Sequence, residues 1–341
     1  MDWQRCDTLR RLGHDITEFD HSDFHRRAER RIMRRLSGRP FKDQAIEQLN
    51  MSLIERVRAD PPEVLWIDKG LLIQRATLDR LKCNFPSLIT VAFQDDNPFG
   101  SRTFEKPIWH HFVQCIPSYD LHFVKRHSDI EEFLKRGAKR LEIFTSGFYE
   151  PLFGSIPRPP PLIYQRDVAF MGSQMEDRGS IITKLLLRHG LSVHVYGRNW
   201  SRCLGYYIHR NNFHGSYPMH RAPDLMRESK INLGFVSKLN GDEYNGRSIE
   251  IPASGGFLLA KRTPSHQALY REGKEAEFFA DVRELASKCK HYLVDERARE
   301  EIAQSGYLRT RTSQYTLTRR MRDASLTMAQ LLQMRSSNPI V

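Results

Sequence analysis

DEYNGRSIEIPASGGFLLA (242–260) is the stretch whose reading decides the fold. It opens on acidic and small polar residues, continues as a helix carrying Arg247 and Glu250, and stops at Gly255 and Gly256 before a short apolar strand at 257–260. Arg247 and Glu250 stand three residues apart, which places them on one helical face near the N-terminal end. That end carries unpaired N–H groups and the positive pole of the helix dipole, so it suits an anion. Pro252 is expected within the first turns, where its missing N–H costs least. Two readings stand at this point: an ion pair that caps a helix, or the seat of a phosphorylated ligand.

Upstream and downstream, the same α/β grammar repeats. DVAFMG (167–172) reads as a buried strand, 179–189 as a helix, and SVHVYG (192–197), INLGFV (231–236), GFLLA (256–260) and AEFFAD (276–281) as further strands. From 282 the chain is mostly helical, ending in a long basic stretch to about residue 332. The first half reads as a helix at 3–13, a short strand at HDITEFD (14–20), and helices at 23–37 and 41–59. Strands follow at VLWID (64–68), LITVAF (88–93), LHFV (121–124) and LEIF (141–144), with helices at 74–83 and 128–136. Strands alternating with helices predict βαβ units and parallel sheets.

SIPRPPPL (155–162) holds four prolines in eight residues and reads as a stiff linker. The expected organisation is therefore an N-terminal Rossmann-like, acceptor-side domain at 1–154, the linker at 155–162, a C-terminal Rossmann-like domain at 163–315, and a C-terminal helix at 316–341 packing back on the first domain. In doubly wound sheets ligands bind beyond the C-terminal strand ends, so a cleft between the facing domains is the expected site.

The 341 residues allow two domains of ordinary size, and 40% hydrophobic with 28% charged residues is a globular composition. A net charge of +12 predicts attraction to something acidic, either specific or spread over a solvated surface. The densest basic cluster is RRAERRIMRRLSGR (26–39), expected to meet an anionic membrane surface peripherally or an acidic acceptor. No aromatic interleaving accompanies it, which argues against specific nucleic-acid binding. Cys6, Cys83, Cys115, Cys203 and Cys289 are scattered, as reduced thiols in a cytoplasmic protein would be. The N-terminus lacks the apolar core of a signal peptide, and no apolar run reaches membrane-spanning length.

Several segments carry candidate chemistry. Gly172 in FMGS ends a strand ahead of Arg178, where a phosphate could approach the backbone and be neutralised; a plain turn is the rival reading. YGRNW repeats the pattern with Gly197 and Arg198, and FHG adds His214 and Gly215, where an ordinary loop histidine is the alternative. Asp242 lies eight residues before Glu250. A carboxylate at a helix start can accept two hydrogen bonds from a ribose diol, with Asn245 and Arg247 available to a sugar hydroxyl and a diphosphate. A surface Asp-Arg-Glu network is the competing account. Asp95 and Asp96, past the end of a first-domain strand, could hold an acceptor hydroxyl, act as a base, or simply cap their loop. No metal-ligand spacing and no nucleophile motif is present.

These residues carry a family likeness. YNGRSIEIPASGGFLLAKRTPSHQALYREGKEAEFFADVREL (244–285) and IAQSGYLRTRTSQYTLTRRM (302–321) resemble the CgeB-type (spore maturation protein) family of GT-B glycosyltransferases. RCDTLRRLGHDITEFD (5–20), FQDDNPF (93–99) and 118–153 resemble it more loosely. The resemblance implies a GT-B fold, two Rossmann-like parallel-sheet domains facing across a cleft, with a nucleoside-diphosphate sugar held mainly by the second. It puts Glu250 on the donor ribose and Asp242 where the family carries glutamate. Asp242 and Arg247, with Asp95 and Asp96 from their place after the strand, are the expected catalytic residues. Gly172, Arg178 (where lysine is common), Gly197, Arg198, His214, Gly215, Asn245, Arg247, Glu250, Gly255 and Gly256 form the expected donor-binding set. Members usually begin with a strand and glycine loop. This chain opens in a helix, so its first domain is expected to lack that strand, or its start to lie upstream.

The function expected is metal-independent, retaining sugar transfer to an unidentified acceptor (protein, glycan or small molecule), with the nucleotide sugar as co-substrate and no cofactor. A non-catalytic nucleotide-binding or assembly protein on a degenerate GT-B scaffold is the alternative.

Overall fold

The computed structural model describes residues 2–22, 24, 44–100, 106–154 and 163–337. The basic cluster at 26–39, nearly all of the helix expected at 23–37 and the linker at 155–162 lie outside the described residues. The chain divides into two compact units, Met1–Thr145 with Arg320–Val341, and Ser146–Arg319.

In the first unit β1 (Val64–Asp68), β2 (Ile89–Gln94), β3 (Leu121–Val124) and β4 (Leu141–Ile143) form a sheet in that order, every pair parallel. β2 and β3 are buried along their whole length, as befits a parallel sheet covered on both faces. Helix Gln44–Ala59 presents Ile46, Leu49, Leu53 and Val57 to this core, where Leu78 and Leu81 of helix Arg75–Asn84 also pack. Helix Lys106–Cys115, not anticipated, adds Trp109, Phe112 and Cys115.

The strand expected at 14–20 does not form. After helix Trp3–Arg11 these residues run without sheet pairing, and Arg10 reaches across to Ile16 O (3.3 Å) and Glu18 (2.8 Å). Arg10 thereby satisfies the Ile16 carbonyl, one of the groups a sheet would otherwise pair. β1 therefore lies at the sheet edge, with no described residue before it in a strand.

The C-terminal helix Leu317–Ser337 belongs from Arg320 onward to this unit. Arg335 Nη2 and Lys82 Nζ donate to Asp120 Oδ1 at 2.7 and 2.6 Å, while Thr90 N and Oγ1 each donate to Oδ2 at 2.8 Å. Burial alone would raise the Asp120 pKa. The hydrogen bonds from Lys82, Thr90 and Arg335 outweigh it and hold the carboxyl below its usual range.

In the second unit β5 (Arg166–Met171), β6 (Val193–Tyr196), β7 (Ser229–Gly234), β8 (Leu258–Lys261) and β9 (Glu277–Phe279) pair in parallel in the order β6-β5-β7-β8-β9. The chain steps from β5 out to β6 and then returns past β5 to β7. That reversal makes a topological switch point at the C-terminal ends of β5 and β7. Val168, Ile182, Leu185, Val193, Ile231 and Leu259 form the centre of its core.

Pro252 departs from expectation. It is the last residue but one of helix Gly246–Ala253, not part of the opening turns. There it removes the N–H that would bond back into the first turn, and the short helix stops directly after it. Among the described residues no disulfide forms, and four of the five cysteines are buried.

Candidate functional site

Two loops flank the switch point, 172–177 after β5 and 235–245 after β7. Glu176 joins them. It holds a left-handed backbone (φ +53°), and its carboxylate accepts from Ser237 Oγ at 2.5 Å and Lys238 N at 3.0 Å. The second loop ends at Asn245, whose Nδ2 donates to Phe235 O (2.8 Å) and whose Oδ1 accepts from Arg247 N (3.0 Å). Asn245 N donates in turn to Ser248 Oγ (3.2 Å), completing a capping box that fixes the start of helix Gly246–Ala253.

On the first turn Arg247 Nη1 donates to Glu250 Oε2, and Nη2 donates to Tyr217 OH at 2.8 Å. Both charged side chains are largely buried, at 25% and 14% exposure. The carboxylate turns back along the helix, since a Cβ on Gly246 would lie 3.6 Å from Glu250 Oε1. One carboxylate oxygen and one guanidinium thus meet beside a helix N-terminus, where a ligand could exchange hydrogen bonds with both.

Three segments singled out by sequence converge beside this cluster. Gly197 packs backbone to backbone on Gly172: a Cβ at Gly197 would fall 2.2 Å from Gly172 O. Gly172 N donates to Tyr196 O (2.8 Å), Gly197 N to Gly215 O (2.7 Å), and Gln174 N to Arg198 O (2.9 Å). His214 Nε2 lies 2.9 Å from His194 Nδ1 and its ring stacks on Tyr196 at 4.6 Å. Burial, with help from Arg166, lowers the pKa of His214; burial and then the facing His214 lower that of His194. Tyr196 meets Tyr217 edge-on at 5.9 Å, and Tyr217 leads back to Arg247.

The remaining expected residues sit as follows. Arg178 opens helix Arg178–His189 and donates from Nη1 to Ser173 O at 3.1 Å. Arg198 is exposed. Asp242 is bound into its own loop, N donating to Ser237 O (2.9 Å) and Oδ1 accepting from Asn240 Nδ2 (3.0 Å). Gly255 and Gly256 lie at the opposite end of the eight-residue helix, about 12 Å from its start. Gly255 (φ +83°) and Gly256 donate to Pro252 O (2.9 Å) and Ile251 O (3.0 Å), which is a helix stop. Asp95 and Asp96 belong to the first unit, where Lys69 Nζ stands 3.5 and 2.5 Å from their carboxylates. Burial would lower the Lys69 pKa, but these two charges outweigh it and raise it. Among the described residues no group of three or more His, Cys, Asp or Glu side chains is gathered as a metal centre requires.

Sequence reading passed over Tyr217, Glu176 and His266. Tyr217 sits two residues past Gly215 and just before Pro218, an aromatic in a turn whose partner, Arg247, is thirty residues away. TPSH (263–266) did contain a signal: Thr263 caps a helix with Pro264 at its first position, which turns His266 inward.

Residues 178–325 match the family model described as Glycosyl transferase-like. No curated protein matches the sequence. Among solved structures, sucrose-phosphate synthase from Thermosynechococcus elongatus superposes with a TM-score of 0.66 at 12% identity, over 88% of this chain and 82% of that one. HepE from Anabaena, in complex with UDP and glucose, gives a TM-score of 0.63 at 14% identity, over 83% and 82%. The trehalose 6-phosphate synthase of Burkholderia multivorans gives 0.56 at 14%, over 87% and 77%. The fold is GT-B. HepE has also been solved with UDP-glucose. In this GT-B chain the glycosyl transferase-like match takes in His214, Tyr217, Arg247 and Glu250, and starts at the first residue of helix Arg178–His189. At these identities the superpositions speak for architecture alone.

Proposed function

We propose that the protein transfers a sugar from a nucleoside-diphosphate sugar to an acceptor. One observation carries the reading: Arg247, Glu250 and Tyr217 are joined at the first turn of a capped helix beside the switch point of a GT-B second unit. Glu250, with an oxygen not engaged by Arg247, accepts from the ribose hydroxyls. Arg247 and Arg178 neutralise the diphosphate, and the N-terminal end of helix Gly246–Ala253 adds its dipole. Leaving-group charge is stabilised by these cations and by N–H groups, so the reaction needs no metal ion. The anomeric configuration is retained, and the residues of 244–285 resemble the CgeB-type glycosyltransferases.

Calorimetry with UDP, GDP and ADP tests the site. Glu250→Ala is expected to weaken the preferred nucleotide at least tenfold, and equal affinity would refute the assignment. NMR of the product formed from the matching nucleotide sugar reads the anomeric outcome. An inverted product transfers the role of base to Asp95 or Asp96. Nucleotide binding without transfer or donor hydrolysis selects the non-catalytic alternative.

A further inference from the structure

A different face of the second unit carries chemistry that the donor site does not use. On helix Arg178–His189, Ile182, Leu185 and Leu186 are buried, while Lys184, Leu187 and Arg188, at i, i+3 and i+4, face solvent. The short helix Leu204–Ile208 repeats that spacing outward, with Leu204, Tyr207 and Ile208 exposed by 61, 69 and 53%. Gly205 lets the two helices touch. Its N–H donates to Thr183 Oγ1 at 3.2 Å, and a Cβ would come within 3.2 Å of Leu186 Cδ1.

Between the helices runs a groove of about 430 Å³ bordered by Lys184, Leu187, Arg188, Arg202 and Leu204. A second groove of about 310 Å³ shares Lys184 and Arg188 and adds Arg283. No carboxylate lines either groove, and Lys184, Arg188 and Arg202 make no ion pair among the described residues. Scattered exposed apolar residues are ordinary; four large ones gathered among unpaired cations are a contact surface.

We propose that this face docks on an anionic lipid surface. Leu187, Leu204, Tyr207 and Ile208 enter the boundary between headgroups and acyl chains, and Lys184, Arg188 and Arg202 meet lipid phosphates. A second copy of the chain fits poorly, because a twofold contact would set the same cations against each other. Of the four apolar residues only Tyr207 can stack on a base, so the face offers a nucleic acid no run of aromatics.

Co-sedimentation of the full chain with phosphatidylcholine vesicles, with and without phosphatidylglycerol, tests the proposal. Binding is expected only with the anionic lipid and is expected to weaken with salt. Arg188→Ala should lower it about fivefold, and the double variant Leu204→Ser/Ile208→Ser about tenfold. Both alter exposed side chains, so unchanged thermal unfolding certifies their fold. Equal binding to neutral vesicles overturns the proposal, and so does wild-type binding by both variants, which places lipid contact elsewhere in the chain. Loss with Arg188→Ala alone is the behaviour of a purely electrostatic polyanion contact and also overturns it. A concentration-dependent dimer abolished by the double variant, without vesicle binding, assigns the face to a second copy instead.

Discussion

Ser248 Oγ lies 2.7 Å from His266 Nε2, and His266 Nδ1 lies 2.7 Å from Lys261 O. A carbonyl only accepts, so Nδ1 carries the proton and Nε2 accepts from the serine hydroxyl, which itself accepts from Asn245 N. A buried, neutral histidine thereby braces the start of helix Gly246–Ala253 from behind.

Burial depresses the His266 pKa from 6.5 to about 4, so the unfolded chain binds a proton that the folded unit refuses. The stability from keeping this ring neutral is complete above pH 6.5 and declines as pH falls toward 4, by about 3 kcal/mol. Urea unfolding across that range should show the decline, and His266→Gln, which does not titrate, should flatten it. His122 in the first unit is likewise depressed to about 4 by burial and supplies a separate slope, which His266→Gln leaves in place.

Tyr217→Phe deletes one hydrogen bond to Arg247 and little else. We expect the unfolding temperature to stay within about 4 °C and nucleoside diphosphate affinity to drop about three- to tenfold, the worth of one ordinary hydrogen bond. Calorimetry on the purified variant decides whether Arg247 depends on that tether.

Gly197→Ala should be far more damaging. Its φ of +151° and the 2.2 Å approach to Gly172 O leave no room for a methyl group. A loss of about 3 kcal/mol or more is expected from denaturant melts, together with lost nucleotide binding. A melt like that of the wild type would mean the two loops separate easily.

Arg335→Ala tests the anchor of the C-terminal helix. Lys82 stays on Asp120, so the expected cost to the first unit is about 1–2 kcal/mol, with faster proteolysis near the C-terminus. The share of stability owed to the ionised Asp120 is present above its unfolded pKa of 3.8 and disappears as pH falls through the lower folded value. Asp120→Asn should remove that acid limb.

The central strands of both sheets were legible because parallel strands buried on both faces leave continuous apolar runs in the sequence. Helix Lys106–Cys115 was missed although Trp109 and Phe112 keep helical spacing, and 14–20 was over-read as a strand. The candidate site divides in the same way. Arg247 and Glu250 are local neighbours on one turn, so spacing reveals them. Tyr217 and Glu176 reach partners 30 and 61 residues away, a relationship only the folded sheet creates. Gly255 and Gly256 read in the sequence as the end of the helix, and their geometry is that of a helix stop.

Glu176 has a consequence for the heat of binding. A non-glycine residue held at φ +53° costs about 1 kcal/mol of backbone strain, and its two hydrogen bonds to 237–238 already hold the loop in that state. A ligand arriving there has little chain left to immobilise. Its association should therefore be enthalpy-led, with a small entropic penalty and a modest heat-capacity change. Glu176→Gly would loosen the loop and shift the loss of affinity into the entropy.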